Sequence, residues 1–64
     1  MHQVETLLFA DWFPTRDGFV GIRPEYCGTA VYQYRSENPL KHYWFQQQDV
    51  AYALYEELRQ YLAV

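Results

Sequence analysis

Large apolar side chains occupy both alternating phases of the short segments between turn-forming residues, and only one clear stretch of helical spacing follows them. Successive side chains of a strand point to opposite sides, so a sheet covered by one helix should alternate apolar with polar residues. These segments do not alternate. Leu7 and Phe9 oppose Leu8 and Trp12, Tyr32 and Tyr34 oppose Val31, and Tyr43 and Phe45 oppose Leu40 and Trp44. A sheet built from them carries apolar area on both sides, more than one helix can cover. Three outcomes satisfy that excess: a small closed barrel, rings tucked together by edge twist, or a face that meets a second copy or another molecule.

The segments are read from their punctuation. Asp17-Gly18 after Pro14-Thr15-Arg16 signals a hairpin turn, because Gly accepts positive φ and Asp can bond its own backbone. Pro24 interrupts the next stretch, Gly28 suggests a bulge, and Ser36-Glu37-Asn38-Pro39 forms another turn. Aromatic and β-branched residues between these marks predict strands at about 19–23, 26–35 and 40–46. Residues 3–13 fit either period, since Val4, Leu7, Leu8 and Trp12 share a helical face while Val4, Thr6, Leu8, Ala10 and Trp12 share a strand face. The strand is preferred, with Pro14 ending it. Residues 50–62 read as an amphipathic helix, with Asp49 as N-cap and Val50, Leu54, Leu58, Tyr61 and Leu62 as its apolar stripe. The expected fold is α+β: a small antiparallel β-meander of three or four strands with one C-terminal amphipathic helix packed on one face.

Composition narrows the class. Sixty-four residues suit a single domain, residues 1–64, and a domain this small buries only about 60% of its unfolded surface, which leaves little room for a deep pocket. One cysteine closes no internal disulfide, and Cys27, His2 and His42 are too few and wrongly spaced for structural zinc. No apolar run approaches the roughly 20 residues that span a bilayer, and no signal-peptide pattern opens the chain, so a cytoplasmic protein without a membrane anchor is expected. The net charge is −3, concentrated in residues 1–15 and 49–64. Arg16, Arg23, Arg35 and Lys41 are interleaved with Asp17, Glu25 and Glu37, a poor stripe for double-stranded DNA, and no carboxylate run is long enough to imitate nucleic acid.

No catalytic motif stands out, and a non-enzyme without cofactors or metals is expected. Cys27 with His42 is the one nucleophile and base pairing to weigh, yet no orienting third group or oxyanion motif accompanies it. Glu56 and Glu57 point to different azimuths of the helix, and Glu5 and Asp11 lie about 20 Å apart on a strand, too far for a glycosidase pair.

The aromatic content points to recognition instead. Seven Tyr, four Phe and two Trp are present, and Tyr, Trp and Arg dominate protein-binding hot spots because they offer large area with few torsions to freeze. Phe9, Tyr32, Tyr34, Arg35, Tyr43 and Phe45 are the candidate partner-binding residues, and the opposite strand register substitutes Leu40, His42 and Trp44. The expected function is a protein-binding module that adapts or sterically occludes a larger protein or complex. Small acidic domains without catalytic motifs are a common form among phage and mobile-element inhibitors of host complexes, an analogy of size and composition alone. Two alternatives are a single-stranded nucleic-acid binder that stacks bases on its sheet face and a self-associating structural protein, for instance a homodimer.

Overall fold

A computed structural model of the protein describes residues 9–62. Four strands, β1 (Asp11–Thr15), β2 (Gly18–Glu25), β3 (Gly28–Arg35) and β4 (Lys41–Phe45), precede one helix, α1 (Gln48–Leu62). The strands form one antiparallel sheet in sequence order, and the helix lies across one side of it. This is the expected α+β meander. Of the segment expected as strand 3–13, residues 3–8 lie outside the described residues, residues 9–10 precede β1, and the strand runs on through Pro14 to Thr15.

Two tight turns fix the register. Thr15 pairs with Gly18 across Arg16-Asp17, and Glu25 pairs with Gly28 across Tyr26-Cys27. A two-residue hairpin closes on a hydrogen-bonded pair, and bonded and non-bonded pairs alternate from there. Pro14 therefore turns its missing N–H to the side of β1 away from β2. Pro24 turns its own toward the β1 side beyond Asp11, where the pairing has ended. Neither proline interrupts its strand, although both were read as strand breaks, because neither removes a ladder hydrogen bond.

Glycine acts here through space. Gly18 opens β2 without positive φ, contrary to the turn role read from Asp17-Gly18, and a Cβ there would run into the carbonyl group of Tyr34. Gly28 forms no bulge and pairs in register. Positive φ occurs instead at Tyr26 (53°) and Cys27 (61°), as a primed turn demands, and at Glu37 (68°) in the β3–β4 connection. Residue 26 therefore starts no strand.

The covered side holds the core. Val20, Ile22 and Val31 from the two central strands meet Ala51 and Tyr55 of the helix, with Tyr43, Phe45, Tyr52, Leu54, Leu58 and Leu62 packed around them. Ala51 lets the helix approach the sheet, and Ala51, Tyr55, Leu58 and Leu62 follow helical spacing on one side. The buried stripe is thus rotated from the one read in sequence: Val50 and Tyr61 are exposed. The Tyr55 ring buries more area than Val50 can, and it takes the centre. The helix also begins earlier than expected. Ala51 N–H donates to Gln47 O at 3.3 Å, so Gln47 is the cap and Asp49 sits inside the first turn, where its charge still favours the helix N-terminus.

Candidate partner-binding face

The side of the sheet away from the helix is built row by row from the register. Trp12, Gly21, Tyr32 and His42 form one row, Pro14, Phe19 and Tyr34 a second, and Arg23, Ala30 and Trp44 a third. Aromatic rings touch along this face in a continuous chain. Trp12 meets Phe19 edge-on at 5.9 Å, Phe19 stacks with Tyr34 at 5.7 Å, and Phe9 bridges Phe19 and Tyr32 at 5.7 and 5.6 Å. Tyr32 in turn lies 4.7 Å from the His42 ring. Such edge-on and offset contacts suit the ring quadrupoles, and each pair contributes about 0.5 to 1.5 kcal/mol beyond area burial.

Glycines seat two of the rings. A Cβ at Gly21 would come within 2.6 Å of Phe9 ring carbons, so Phe9 lies directly on the backbone of β2. A Cβ at Gly28 would come within 2.6 Å of Trp44 Cε2, so that indole lies on β3. Tyr32, flanked by Phe9 and His42, is only 8% exposed despite facing away from the helix. Rings therefore cover part of this face themselves. Trp12 at 54% and Trp44 at 43% remain exposed, as does Tyr34.

Glu25 ties the end of the face together. Its Oε2 accepts from Tyr32 Oη at 2.7 Å, its Oε1 lies 2.8 Å from His42 Nε2, and its backbone oxygen accepts from Trp44 Nε1 at 2.7 Å. Burial acts to raise the Glu25 pKa, but hydrogen bonds from Tyr32 and His42 and the charges of His42 and Arg23 outweigh it. The carboxyl is held below the usual carboxylate range. Tyr32 responds in the opposite sense: burial and the adjacent Glu25 carboxylate push its hydroxyl up to about 12. The network joins β2, β3 and β4 beside the strained Tyr26-Cys27 turn.

The candidates divide between the two sides. Phe9, Tyr32 and Tyr34 lie on the open face. Tyr43 and Phe45 lie on the covered side against the helical core, so β4 presents His42 and Trp44 outward in their place. Arg35 also lies on the covered side of β3, exposed at its end with Nε 3.6 Å from Asp17 Oδ2. Trp12, Phe19 and Glu25 belong to the open face and were not singled out from sequence. Recognising Tyr26-Cys27 as a turn fixes which residues of β3 share a side with Glu25, but the dipeptide lacks the Asn-Gly or Asp-Gly signature.

Chemically reactive groups are dispersed. Cys27 is an exposed thiol at a hairpin tip, and the Nε2 of His42 is engaged with Glu25. Among the described residues no three His, Cys, Asp or Glu side chains group to hold a metal ion, and no helix is long and apolar enough to cross a membrane. No family model, curated protein or solved structure matches the chain.

Proposed function

We propose that this protein is a recognition module that binds a larger protein through the open sheet face, with Trp12, Tyr34 and Trp44 as its contact residues around a half-buried Phe19. The supporting observation is a set of exposed rings held in place before any partner arrives. Trp12 packs edge-on against Phe19, Tyr34 stacks on it, and Trp44 is seated on Gly28 and bonded to Glu25 O. Fixed rings lose little side-chain entropy on binding, which is the condition under which aromatic area becomes affinity. Function then follows from coverage: about 800 Å² per partner makes a stable interface, and a domain of this size can occupy that much of a larger surface.

Base stacking on the same rings is the second reading, favoured by their exposure on an open sheet. Charge separates the two. On the strands, Arg23 and Glu25 are the open face's formally charged pair, so no cationic track follows the rings. Affinity capture from lysate with identification by mass spectrometry, repeated with Trp12→Ala and Tyr34→Ala, tests the proposal. Protein captured by the parent and lost from both variants supports it; capture of RNA alone, with affinity falling steeply as salt rises, overturns it.

A further inference from the structure

From the strand edges we infer that two copies of the chain pair through β4, antiparallel about a twofold axis at Tyr43, to form a continuous eight-stranded sheet. The inference goes beyond the open-face reading and does not depend on it. Its first support is the register. The turn at Tyr26-Cys27 closes on Glu25 and Gly28, so Gly28, Ala30, Tyr32 and Tyr34 direct their backbone groups to β2. Thr29, Val31 and Gln33 then bond Phe45, Tyr43 and Lys41. Among the described residues nothing pairs with the N–H and C=O groups of His42 and Trp44, which point away from the sheet along the β4 edge.

The two edges of the sheet differ. Pro14 places a missing donor on the outer edge of β1, whereas β4 contains no proline and carries no positive φ. Pairing of β4 with β1 of the next copy would propagate without closing, and Pro14 opposes it. Pairing of β4 with β4 closes as a dimer.

Self-pairing about Tyr43 is chemically matched. His42 stands opposite Trp44 of the second copy in a hydrogen-bonded pair, twice, and Lys41 stands opposite Phe45. The two Lys41 ammonium groups lie about four residues apart along the strands, roughly 14 Å, beyond a Debye length at physiological salt. Lys41 would blunt this edge if it met another cation, but this register gives it a ring.

Exposed apolar side chains gather on the same flank. Arg59 lies over Phe13 of β1 at 4.8 Å, which sets one flank of the helix toward β1. By helical spacing Val50, Leu54 and Tyr61 occupy the opposite flank, toward β4. Val50 is exposed and Tyr61 is 82% exposed, so this flank of the helix presents apolar area beside β4. In the paired sheet Tyr43 and Tyr61 of both copies would line the valley between the two helices.

Mass by light scattering and amide hydrogen exchange, read together over a dilution series, test the inference. The expected result is a mass of twice 7.8 kDa that falls on dilution, with protection of the His42 and Trp44 amides lost in step. The Tyr43 amide, bonded to Val31, stays protected throughout and reports the intact monomer. Tyr61→Lys should weaken dimerisation by about tenfold or more while leaving monomer melting unchanged, since the exposed last turn of the helix accepts a cation. A single-chain mass at the highest concentration, or a dimer in which the His42 and Trp44 amides exchange freely, overturns it. Neither readout involves Trp12 or Tyr34, so its failure is distinct from failure of partner capture.

Discussion

The indole of Trp44 rests on Gly28 and donates its Nε1–H to the carbonyl oxygen of Glu25 at 2.7 Å. This contact ties an edge strand to the strand two places away, across the one residue of β3 that leaves room for it. Gly28→Ala should therefore be costly without any backbone reason, since Gly28 has no positive φ. The added methyl meets both the indole and the Phe45 carbonyl oxygen. We expect a loss of about 1 to 3 kcal/mol in chemical denaturation, with a shift in Trp fluorescence as the indole lifts.

The two sides of β4 should separate stability from binding. Phe45→Ala and Tyr43→Ala remove side chains packed against the helical core and should each cost about 2 to 4 kcal/mol. Trp12→Ala and Tyr34→Ala remove half-exposed rings of the open face and should cost less than the core rings, about 1 to 2 kcal/mol, with partner capture lost. Thermal melting beside capture reads both effects; a large stability loss for Tyr34→Ala would place that ring in the core.

Glu25 and Tyr32 make the fold sensitive at both ends of the pH scale. The Glu25 carboxyl is lowered in the folded state, so its contribution is present above the ordinary value of 4.5 and is lost as pH falls through the lower folded value. Tyr32 and Tyr55 are raised to about 12, so their contributions hold below the ordinary value of 10.0 and are lost as pH climbs from there toward 12. Tyr32→Phe should remove one hydrogen bond to a charged acceptor, about 1.5 to 3 kcal/mol at neutral pH. It should also shrink the loss of stability on the acid side, because without the Tyr32 hydrogen bond the Glu25 carboxyl is lowered less and the onset stays at the ordinary value. Denaturation midpoints across the pH range check each sign.

Tyr26 and Cys27 hold positive φ without being glycine or asparagine, which costs each of them about 1 kcal/mol or more. Replacing the pair by Tyr26→Asn with Cys27→Gly should stabilise the hairpin by about 1 kcal/mol. The substitution leaves Glu25, Tyr32 and Trp44 in place, and thermal melting is the measurement. An unchanged or lowered melting temperature would mean that the Tyr26 side chain, although exposed, contributes more than its backbone costs.

Local chemistry made part of this protein legible before any coordinates. The aromatic and β-branched runs marked β2, β3 and β4, Asn38-Pro39 marked the connection before β4, and the spacing from Val50 to Leu62 marked the helix, because each signal acts over a few residues; β1, which runs through Pro14, was not fixed. The same patterns announced that both sheet sides would be apolar. They could not assign a side to Tyr43 or Trp44, since a strand with large residues on both phases has no internal preference for either.

That assignment depended on groups far apart in sequence. A primed turn at Tyr26-Cys27 carries no glycine to announce it, and its length sets which residues of β3 share a side with Glu25, while the longer connection after Arg35 sets those of β4. Gly28 reads as a bulge residue and Gly21 carries no signal until Trp44 and Phe9 are seen lying on them. The sequence by itself determined the elements, their order and the excess of apolar surface. Tertiary packing decided which rings that excess leaves in solvent, because strand register and ring seating are settled by contacts between distant residues and not by any residue's own preference.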